Sequence, residues 1–566
     1  MMTIQELKLW AQKLTASMSM REKAILITLV VVMAVSLAMS ISGYVTRNSI
    51  LVPQQGGIYT EAMVGQPRYL NPILASSSDI DLDLTRVIYS SLFKLDTNLK
   101  LQNDLADNVE VSSDGKIYTV HMRNDAVWHD DKPVTAEDVL FTVRSIQTPE
   151  YASPLASAFQ GVLVDKVDDY TIRFTLQKTP YAPFLSSLTV GIAPKHVWEN
   201  VPPRNAGLAE QELKPVGSGP FKFQELVTKK KTGETTSISL VRNDDYYGNK
   251  PYLAGLTFTF FTTHEEAIAA LTSGQTNGIG YLPTSLLSSV NHRVSITRHT
   301  LLLPQYFGLF FNEAKNPILN NQGVRSALDL ATDREEIIKQ ALSGEAEGVS
   351  LPIPPGLFSF EDIQGPSFDP EKAKQNLDDA GWKVGEDKIR EKDGKKLEIA
   401  ITTTDWPEYV QTAELLQKQW KEVGVSLTIT SLGTGIIQQT VVGPRDYEIL
   451  LYGENLSADP DPYPFWHSSQ VKSPGLNLSL LKDKEIDKLL EDARTSTDTE
   501  KRRELLHKFT QRFLDIHPAI ILYRPHYLFA QHQNVRGQAM HQGSLPSDRF
   551  NDIAAWHVRV KRVWNQ

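Results

Sequence analysis

Residues 457–469 read SADPDPYPFWHSS, with proline at every second position from Pro460 to Pro464. Proline fixes its own φ and pushes the residue before it toward an extended conformation. The stretch therefore predicts a stiff, non-helical loop that cannot join the interior of a sheet. It carries two carboxylates, Asp459 and Asp461, directly before a cluster of aromatic rings. The function of such a rigid acidic and aromatic loop is the first question that this sequence raises.

The composition of the chain excludes several classes of protein. The 566 residues are 41% hydrophobic and 22% charged, an ordinary globular balance, and the length predicts about three or four domain-sized units. The net charge is −9, and no basic run is long enough to follow a phosphate backbone, so nucleic acid is a poor partner. The absence of cysteine excludes disulfides, thiolate metal sites and lipid-modified cysteine.

The N-terminal region predicts attachment to a membrane. Residues 24–45 form an uncharged, mostly apolar run long enough for a spanning helix. The charge bias around the run places residues 1–23 in the cytoplasm and the body, from about residue 50, in the periplasm or at the cell surface. The basic residues that precede the run are Lys8, Lys13, Arg21 and Lys23. A cleaved signal peptide, ending near Ala38-Met-Ser40, is the alternative.

The body has the local patterns of a mixed α/β protein. Polar and apolar residues alternate through Tyr170–Gln177 as in a half-buried strand, and three further segments predict strands: 117–122, 397–402 and 425–430. Helices are predicted at four places. Two follow the capping boxes that begin at Thr135 and Thr332, one begins at Asp369-Pro370, and a pair of helices covers 484–516. These elements alternate irregularly, unlike the repeated βαβ units of a Rossmann fold or a barrel.

The sequence contains no complete catalytic or metal-binding motif. Ser113-Asp-Gly-Lys116 and Lys231-Thr-Gly233 resemble motifs of penicillin-interacting enzymes, but Asp114-Gly115 is a hairpin-turn signal. His129-Asp130-Asp131 lacks a second histidine at metal-ligand spacing. The glycine-rich Val216–Phe221 lacks the lysine of a phosphate-binding loop and predicts a tight turn before a strand. A binding protein without metal or cofactor is therefore favoured over an enzyme.

Nine stretches, in order along nearly the whole body, resemble one family. They are Leu92–Asp96, Val111–Val120, Trp128–Val139, Gly217–Phe221, Asn243–Pro251, Phe311–Asn312, Val324–Leu328, Asp369–Lys374 with Ala380–Trp382, and the loop 457–469. Together they resemble the extracellular solute-binding proteins of ABC importers, in the class of oligopeptide- and dipeptide-binding proteins.

The resemblance implies a fold and a set of partners. It implies a two-lobed α/β fold of the periplasmic-binding-protein kind that closes about a hinge. Lobe I would comprise residues 50–305 and a C-terminal return over 523–566, and lobe II would comprise residues 306–522. It further implies a monomer that captures short peptides, uses no cofactor and delivers its ligand to an ABC transporter permease.

The resemblance also predicts the ligand-binding residues. In peptide-binding members an aspartate in the loop similar to 457–469 receives the peptide ammonium, which points to Asp459, with Asp461 as the alternate. A carboxylate on a rigid support saves the entropy of ordering a mobile side chain. The secondary candidates are Tyr452, Asn455, Asn312 and Trp466. The other interpretation is that both aspartates cap turns and that the rings of the loop pack into the core.

Two alternatives to peptide transport remain open at the level of sequence. The segment Leu451–Ser457 lacks a tryptophan that the family often has before the aspartate. A non-peptide solute, such as a nickel chelate, a sugar, an opine or haem, is therefore one alternative. A ligand sensor without transport is the other.

Overall fold

A computed structural model of the chain describes residues 18–290, 295–356 and 358–564. The described residues divide into two compact units. One combines 18–55 with 559–564, and the other, called the body below, spans Gly56–Val558.

The helices include one long N-terminal helix, several medium helices and four single turns. In chain order they are α1 (Met20–Arg47), α2 (Asp79–Ile88), α3 (Ala136–Gln147), α4 (Phe184–Ser187), α5 (Lys195–Trp198), α6 (His264–Ser273), α7 (Gln322–Leu330), α8 (Arg334–Ala341), α9 (Pro370–Asp379), α10 (Pro407–Glu422), α11 (Thr434–Ile437), α12 (Tyr463–Trp466), α13 (Lys484–Thr495) and α14 (Thr499–Ile516).

The strands are mostly short, and one is much longer than the rest. In chain order they are β1 (Ser49–Gln54), β2 (Ile58–Val64), β3 (Phe93–Leu95), β4 (Leu101–Asn103), β5 (Ala106–Val111), β6 (Ile117–Met122), β7 (Val162–Asp168), β8 (Thr171–Leu176), β9 (Phe221–Thr228), β10 (Thr235–Arg242), β11 (Gly255–Phe261), β12 (Gly278–Ile279), β13 (Ile296–Leu302), β14 (Gln305–Phe311), β15 (Ala346–Gly348), β16 (Lys383–Val384), β17 (Arg390–Lys392), β18 (Lys395–Lys396), β19 (Glu398–Thr404), β20 (Ser426–Leu432), β21 (Ile449–Asn455), β22 (Ala519–His532) and β23 (Arg559–Trp564).

The smaller unit joins α1 to a two-stranded sheet. Strands β1 and β23 pair antiparallel from Ser49↔Trp564 to Gln54↔Arg559. Helix α1 is long and apolar enough to cross a membrane, and none of its residues is buried. Residues 50–54, which the sequence assigned to lobe I, thus pair with the C-terminal strand, outside the sheets of the body.

The body has two lobes, each built on its own part of a large mixed sheet. Lobe I is built on the strand order β9-β10-β11-β2-β12-β22-β13, and lobe II on the order β20-β19-β21-β14-β22-β15. A separate antiparallel sheet, β5-β6-β8-β7, adds a subdomain to lobe I. Its strands β6 and β8 agree with the segments predicted from alternation.

Strand β22 belongs to both lobes and marks the hinge. Its first half pairs with β14, up to Phe307↔Tyr523, and its second half pairs with β13, from Leu302↔His526 onward. The chain therefore passes between the lobes at 303–304 and again at 524–525, where Pro304 and Pro525 lie. The predicted lobe limits near 305 and 522 stay predictions.

Local signals in the sequence explain where the helices begin. Asp369 caps α9 by accepting the backbone N–H of Lys372 at 2.9 Å, and Gly381, just beyond that helix, has φ +88. The predicted start at Thr332 shifts by one residue, because Asp333 accepts the N–H of Glu336 instead. The Thr332 hydroxyl, fully buried, donates to the Leu328 carbonyl.

The loop 457–469 differs from its prediction in one respect. Residues 463–466, expected to be non-helical, form the single helical turn α12, with Pro462 before its first residue. Proline is compatible with the first turn of a helix because the first N–H groups have no partner within the helix. The alternating prolines therefore stiffen the approach to this turn without preventing it.

Candidate functional site

A cavity of about 560 Å³ lies between the two lobes, beside the strands that cross from one to the other. We call it the interlobe cavity. Residues that line it from the lobe I side include Asp79, Asp83, His264, Tyr281, Thr284 and Tyr527, and those from the lobe II side include Phe307, Glu345, Trp406, Glu408, Tyr409, Asn455 and Tyr523. Its volume is in the range typical of small-ligand sites.

Aromatic rings form much of both walls. On the lobe II side Phe307 stacks between Tyr409 and Tyr523, with centroids 4.7 Å and 5.7 Å away. Trp406 continues this stack at 6.4 Å from Tyr409, and its side chain is 47% exposed. On the lobe I side Tyr281 packs against Tyr527 at 5.4 Å. An exposed tryptophan next to a supported aromatic stack is a preformed surface for apolar or π contacts with a ligand.

Hydrogen bonds connect the two lobes, and one of them joins residues of the cavity lining. The Thr284 hydroxyl, from lobe I, donates to Glu408 Oε1 at 3.0 Å. The Ala458 N–H, from lobe II, donates to the Ser544 hydroxyl at 3.1 Å. Glu408 follows Trp406 at the start of α10, directly after β19, so the end of a strand positions both the ring and the carboxylate.

A buried ion cluster supports the lobe I wall. Arg549, fully buried, contacts Asp83 through two hydrogen bonds of 2.6 and 2.7 Å and Glu61 through one of 2.6 Å. Burial raises the pKa of Asp83 to about 7, although the Arg549 charge opposes that rise. Since removal of one partner would leave an uncompensated buried charge, the cluster fixes the position of this wall.

The two aspartates of the loop 457–469 have partners within the protein. Asp459 Oδ1 lies 2.5 Å from Arg502 Nη1, and Asp461 Oδ2 lies 3.1 Å from Arg494 Nε. Burial raises the pKa of both carboxyl groups, and the arginines oppose that rise. Neither aspartate is among the residues that line the interlobe cavity. A ligand ammonium at Asp459 stays a prediction, and it would have to compete with the guanidinium of Arg502.

Two of the secondary candidates lie in the interior of lobe II. The Trp466 side chain is fully buried, with its ring 4.8 Å from that of Phe513. Asn312 is 3% exposed and donates to the Arg445 carbonyl at 2.9 Å. Both side chains are thus engaged in packing or in hydrogen bonds of the fold.

The remaining two candidates do line cavities. Asn455 lies at the interlobe cavity and also at an adjoining cavity of about 300 Å³, and Tyr452 lies at the adjoining one. Of the six predicted residues, the structure thus brings only these two, both on β21, to the cavity walls.

Sequence reasoning missed the aromatic and acidic residues of the walls. One signal was available for Trp406 and Glu408, because they directly follow the predicted strand 397–402. Ligands of open α/β sheets bind beyond the carboxyl ends of the strands. No local pattern marked Tyr281 or Asp79, which reach the cavity only through the packing of the lobes.

Within the residues that the structure describes, no group of three or more His, Cys, Asp or Glu side chains is arranged to hold a metal ion. His129 belongs to the His-Asp-Asp stretch that was considered, and rejected, as a metal site from the sequence. Its Nδ1 accepts the Gly217 N–H at 3.1 Å. Burial lowers its pKa to about 4, so the ring is neutral and serves the turn at 217–221.

Comparison with known proteins identifies the family. The model of the bacterial extracellular solute-binding proteins, family 5 Middle, matches residues 100–475. The chain belongs to this family. It is thus a member of a family of solute-binding proteins and not of a family of enzymes.

Members of known structure and function cover almost the whole chain. The oligopeptide-binding protein AppA of Bacillus subtilis (strain 168) is 32% identical over 553 residues, 95% of this chain and 99% of AppA. The structure of AppA from Bacillus subtilis in complex with a nonapeptide has a TM-score of 0.71 and 30% identity, and the match covers 90% of this chain and 100% of that one. NikZ from Campylobacter jejuni in complex with Ni(L-His) has a TM-score of 0.73 and 26% identity, with 88% and 99% covered.

Proposed function

We propose that this solute-binding protein captures peptides in the interlobe cavity and delivers them to the permease of an ABC transporter. The observation that carries the proposal is the cavity itself, which lies at the hinge of two lobes and has aromatic walls. Similarity to AppA, whose structure holds a nonapeptide, supports a peptide as the ligand.

The walls suggest how a peptide would be held. Apolar side chains and peptide planes would pack on Trp406 and on the stack formed by Phe307 and Tyr409. Asn455 and Tyr452, on β21, would supply hydrogen bonds to the peptide main chain. The lobes would close over the ligand, a standard binding transition of two-lobed proteins. The hydrogen bond between Thr284 and Glu408 would stabilise the closed form.

We further propose that α1 anchors the protein in the membrane, with residues 1–23 on the cytoplasmic side. The basic residues before the helix favour this orientation. At its other end Tyr44 lies 6.2 Å from the Trp564 ring of β23, and paired aromatic rings are typical of the membrane–water interface. The tether would hold the binding protein next to its permease.

Native mass spectrometry of the full chain in detergent tests the ligand. The protein is purified gently and then incubated with a mixture of short peptides. We expect added masses that match peptides, on the isolated protein or after incubation. A protein that acquires no peptide mass under either condition overturns the proposal.

The resemblance to NikZ, whose structure holds Ni(L-His), supports a second candidate ligand, a metal ion chelated by small molecules. A chelate brings most of its own metal ligands, so a protein metal cluster is not required. A single added mass with the isotope pattern of nickel would favour this candidate over peptides.

Flotation with lipid vesicles tests the anchor. The full chain should float with vesicles and resist extraction with alkaline carbonate, because a spanning helix inserts in an effectively irreversible way. A chain truncated before Asn48 should remain in the soluble fraction. Extraction of the full chain by carbonate would contradict the anchor but not the ligand.

A further inference from the structure

The formal charges around the interlobe cavity all have one sign. Among the described residues its lining contains four carboxylates, Asp79, Asp83, Glu345 and Glu408, and neither lysine nor arginine. Histidines 264 and 526 also line it, and burial lowers the pKa of His264, which favours its neutral form.

Two of these carboxylates are compensated by the protein. Asp83 is bound by Arg549, as described above. Glu345 lies 3.0 Å from Arg298 Nη2 and 3.3 Å from His526 Nδ1. They form part of the fold's own network of charges, so neither requires a partner from outside.

The other two carboxylates differ from these, because no arginine or lysine forms an ion pair with them in the described part of the chain. Within residues 18–290, 295–356 and 358–564, neither Asp79 nor Glu408 forms an ion pair. The hydrogen bond of Glu408 is to a neutral group, the Thr284 hydroxyl, at 3.0 Å. Asp79 lines the cavity; burial of its carboxyl group raises its pKa, and the charge of Arg549 opposes that rise.

Asp79 of lobe I and Glu408 of lobe II line the same cavity as the ring of Tyr281. Tyr281 lines the cavity, and burial followed by the charges of Glu408 and Asp79 raises its pKa to about 12. Trp406, two residues before Glu408, offers an exposed ring in the same cavity. Carboxylates and aromatic faces in one cavity are the surroundings that bind ammonium and guanidinium groups.

We infer that the interlobe cavity selects ligands that carry a positive charge, which binds between Asp79 and Glu408 against the rings of Tyr281 and Trp406. This inference rests on the proposed peptide-binding function and specifies the class of peptide. The cation is either the N-terminal ammonium or a lysine or arginine side chain of the ligand.

A purely structural role for the two carboxylates makes a different prediction. Both stand in the first turn of a helix, Asp79 in α2 and Glu408 in α10, where a negative charge stabilises the helix dipole. That role would affect the stability of the protein but not its preference among ligands. The test therefore compares ligands of different charge on the same protein.

The experiment measures the affinity of the full chain in detergent for three amidated pentapeptides, AAKAA, AAQAA and AAEAA. Each is used with a free and with an acetylated N-terminus. We expect the affinity to fall about tenfold when the only positive charge is removed. A loss of affinity on acetylation assigns the cation to the N-terminal ammonium. A lower affinity for AAQAA than for AAKAA assigns it to a side chain.

Four variants complete the test. Glu408→Gln keeps the acceptor for Thr284, and Asp79→Asn keeps the side-chain volume; each should reduce the charge preference to less than about threefold. Glu408→Lys should favour AAEAA instead, a reversal that no helix-capping role would produce. Glu414→Gln removes an exposed carboxylate of the same helix that lies outside the cavity lining, so it should leave the preference intact.

The outcomes separate the two proposals. Equal affinity of the wild-type protein for all six peptides overturns the charge selection and leaves peptide binding in place. No binding of any of them, or of a peptide mixture, overturns both. An unchanged preference in Glu408→Gln and Asp79→Asn, each with unaltered melting temperature, overturns the assignment to these carboxylates.

Discussion

Asp459 and Arg502 form a short ion pair, with 2.5 Å between Oδ1 and Nη1. Arg502 Nη2 also donates to the Pro460 carbonyl at 2.8 Å, and its side chain is 7% exposed. One guanidinium thus holds both the carboxylate and the backbone of the proline-rich loop. In this structure the acidic residues of the loop SADPDPYPFWHSS join it to α13 and α14.

Asp459→Ala should therefore destabilise the body. It leaves Arg502 buried without its counter-ion, a change that costs about 3 kcal/mol of unfolding free energy. Denaturant unfolding of the full chain in detergent gives the value. Glu504→Gln is the matched control, since it breaks an exposed pair with Lys508 on the same helix and should cost less than about 0.5 kcal/mol.

The same variant decides the predicted role of Asp459 in binding. If Asp459 receives the ligand ammonium, peptide affinity should fall about tenfold or more in Asp459→Ala. Unchanged affinity in protein that is still folded would remove Asp459 from the site and leave the two-lobed fold untouched.

Trp406→Ala should weaken peptide binding without loss of fold. Its ring is 47% exposed at the cavity, so truncation removes ligand contacts and little core packing; we expect about a tenfold loss of affinity. Isothermal titration calorimetry measures the affinity, because the substitution itself removes the tryptophan whose fluorescence would report binding. Trp420→Ala, a fully buried residue on the same helix, should instead lower the unfolding free energy by about 3–5 kcal/mol. Unaltered affinity in Trp406→Ala would move the ligand away from this wall.

Arg494→Ala should favour the open form of the body. The Arg494 guanidinium lies 4.8 Å from the ring of Tyr181 on lobe I and 4.4 Å from that of Tyr463 on lobe II. Loss of this contact between the lobes should raise the radius of gyration of the ligand-free protein in small-angle scattering. Affinity should fall in proportion to the population of the closed form.

Arg503→Ala is the control for that variant. Arg503 contacts Phe360 and the Ser359 carbonyl, both on lobe II. Its removal should leave the scattering curve unchanged. Equal curves for both variants and the wild type would mean that Arg494 does not stabilise closure.

Glu212 should make the stability of lobe I depend on pH. Its Oε2 accepts the N–H groups of Leu70 and Asn71 at 2.7 and 2.9 Å, and burial raises its pKa to about 7. An acid whose pKa is raised on folding holds its proton more tightly in the folded state. The contribution of Glu212 to the unfolding free energy is therefore complete at a pH below the pKa of the unfolded state. It declines as the pH rises toward about 7, the pKa of the folded state.

Comparison with Glu212→Gln isolates this effect. From pH 5 to pH 7 the unfolding free energy of the wild type should fall relative to that of the variant, by at most about 1.4 kcal/mol per pH unit. Glu210→Gln is the control, because the hydrogen bond from Lys214 keeps the pKa of Glu210 below its ordinary value. A pH-independent difference for Glu212→Gln would contradict the prediction.

Much of the fold could be predicted from local sequence because local rules position its elements. The alternation in Tyr170–Gln177 became β8, and the Asp369-Pro370 signal became the first turn of α9. These features depend on residues a few positions apart, whose spacing is written directly in the sequence. The same rules misplaced the start of α8 by one residue. Thr332 and Asp333 could each cap the helix, but the buried Thr332 hydroxyl donates to the Leu328 carbonyl, so Asp333 is the capping residue.

The candidate site depends on distances between residues far apart in the chain, which no local rule covers. A carboxylate next to prolines looks the same in sequence whether it meets a ligand or an arginine. Only the packing of α14 against the loop brought Arg502 to Asp459. The neighbouring Asn455 and Tyr452 reached the cavity because β21 runs along it.

The sequence by itself determined the family, the mixed α/β composition and the apolar N-terminal helix, because each is carried by residue type and short-range order. The tertiary structure decided which carboxylates form ion pairs. It brought Asp79 of lobe I and Glu408 of lobe II to the same cavity, and it bound Asp459 and Asp461 to arginines. Electrostatic partnership depends on separation in space, and for residues this far apart in the chain that separation is set only when the lobes pack together.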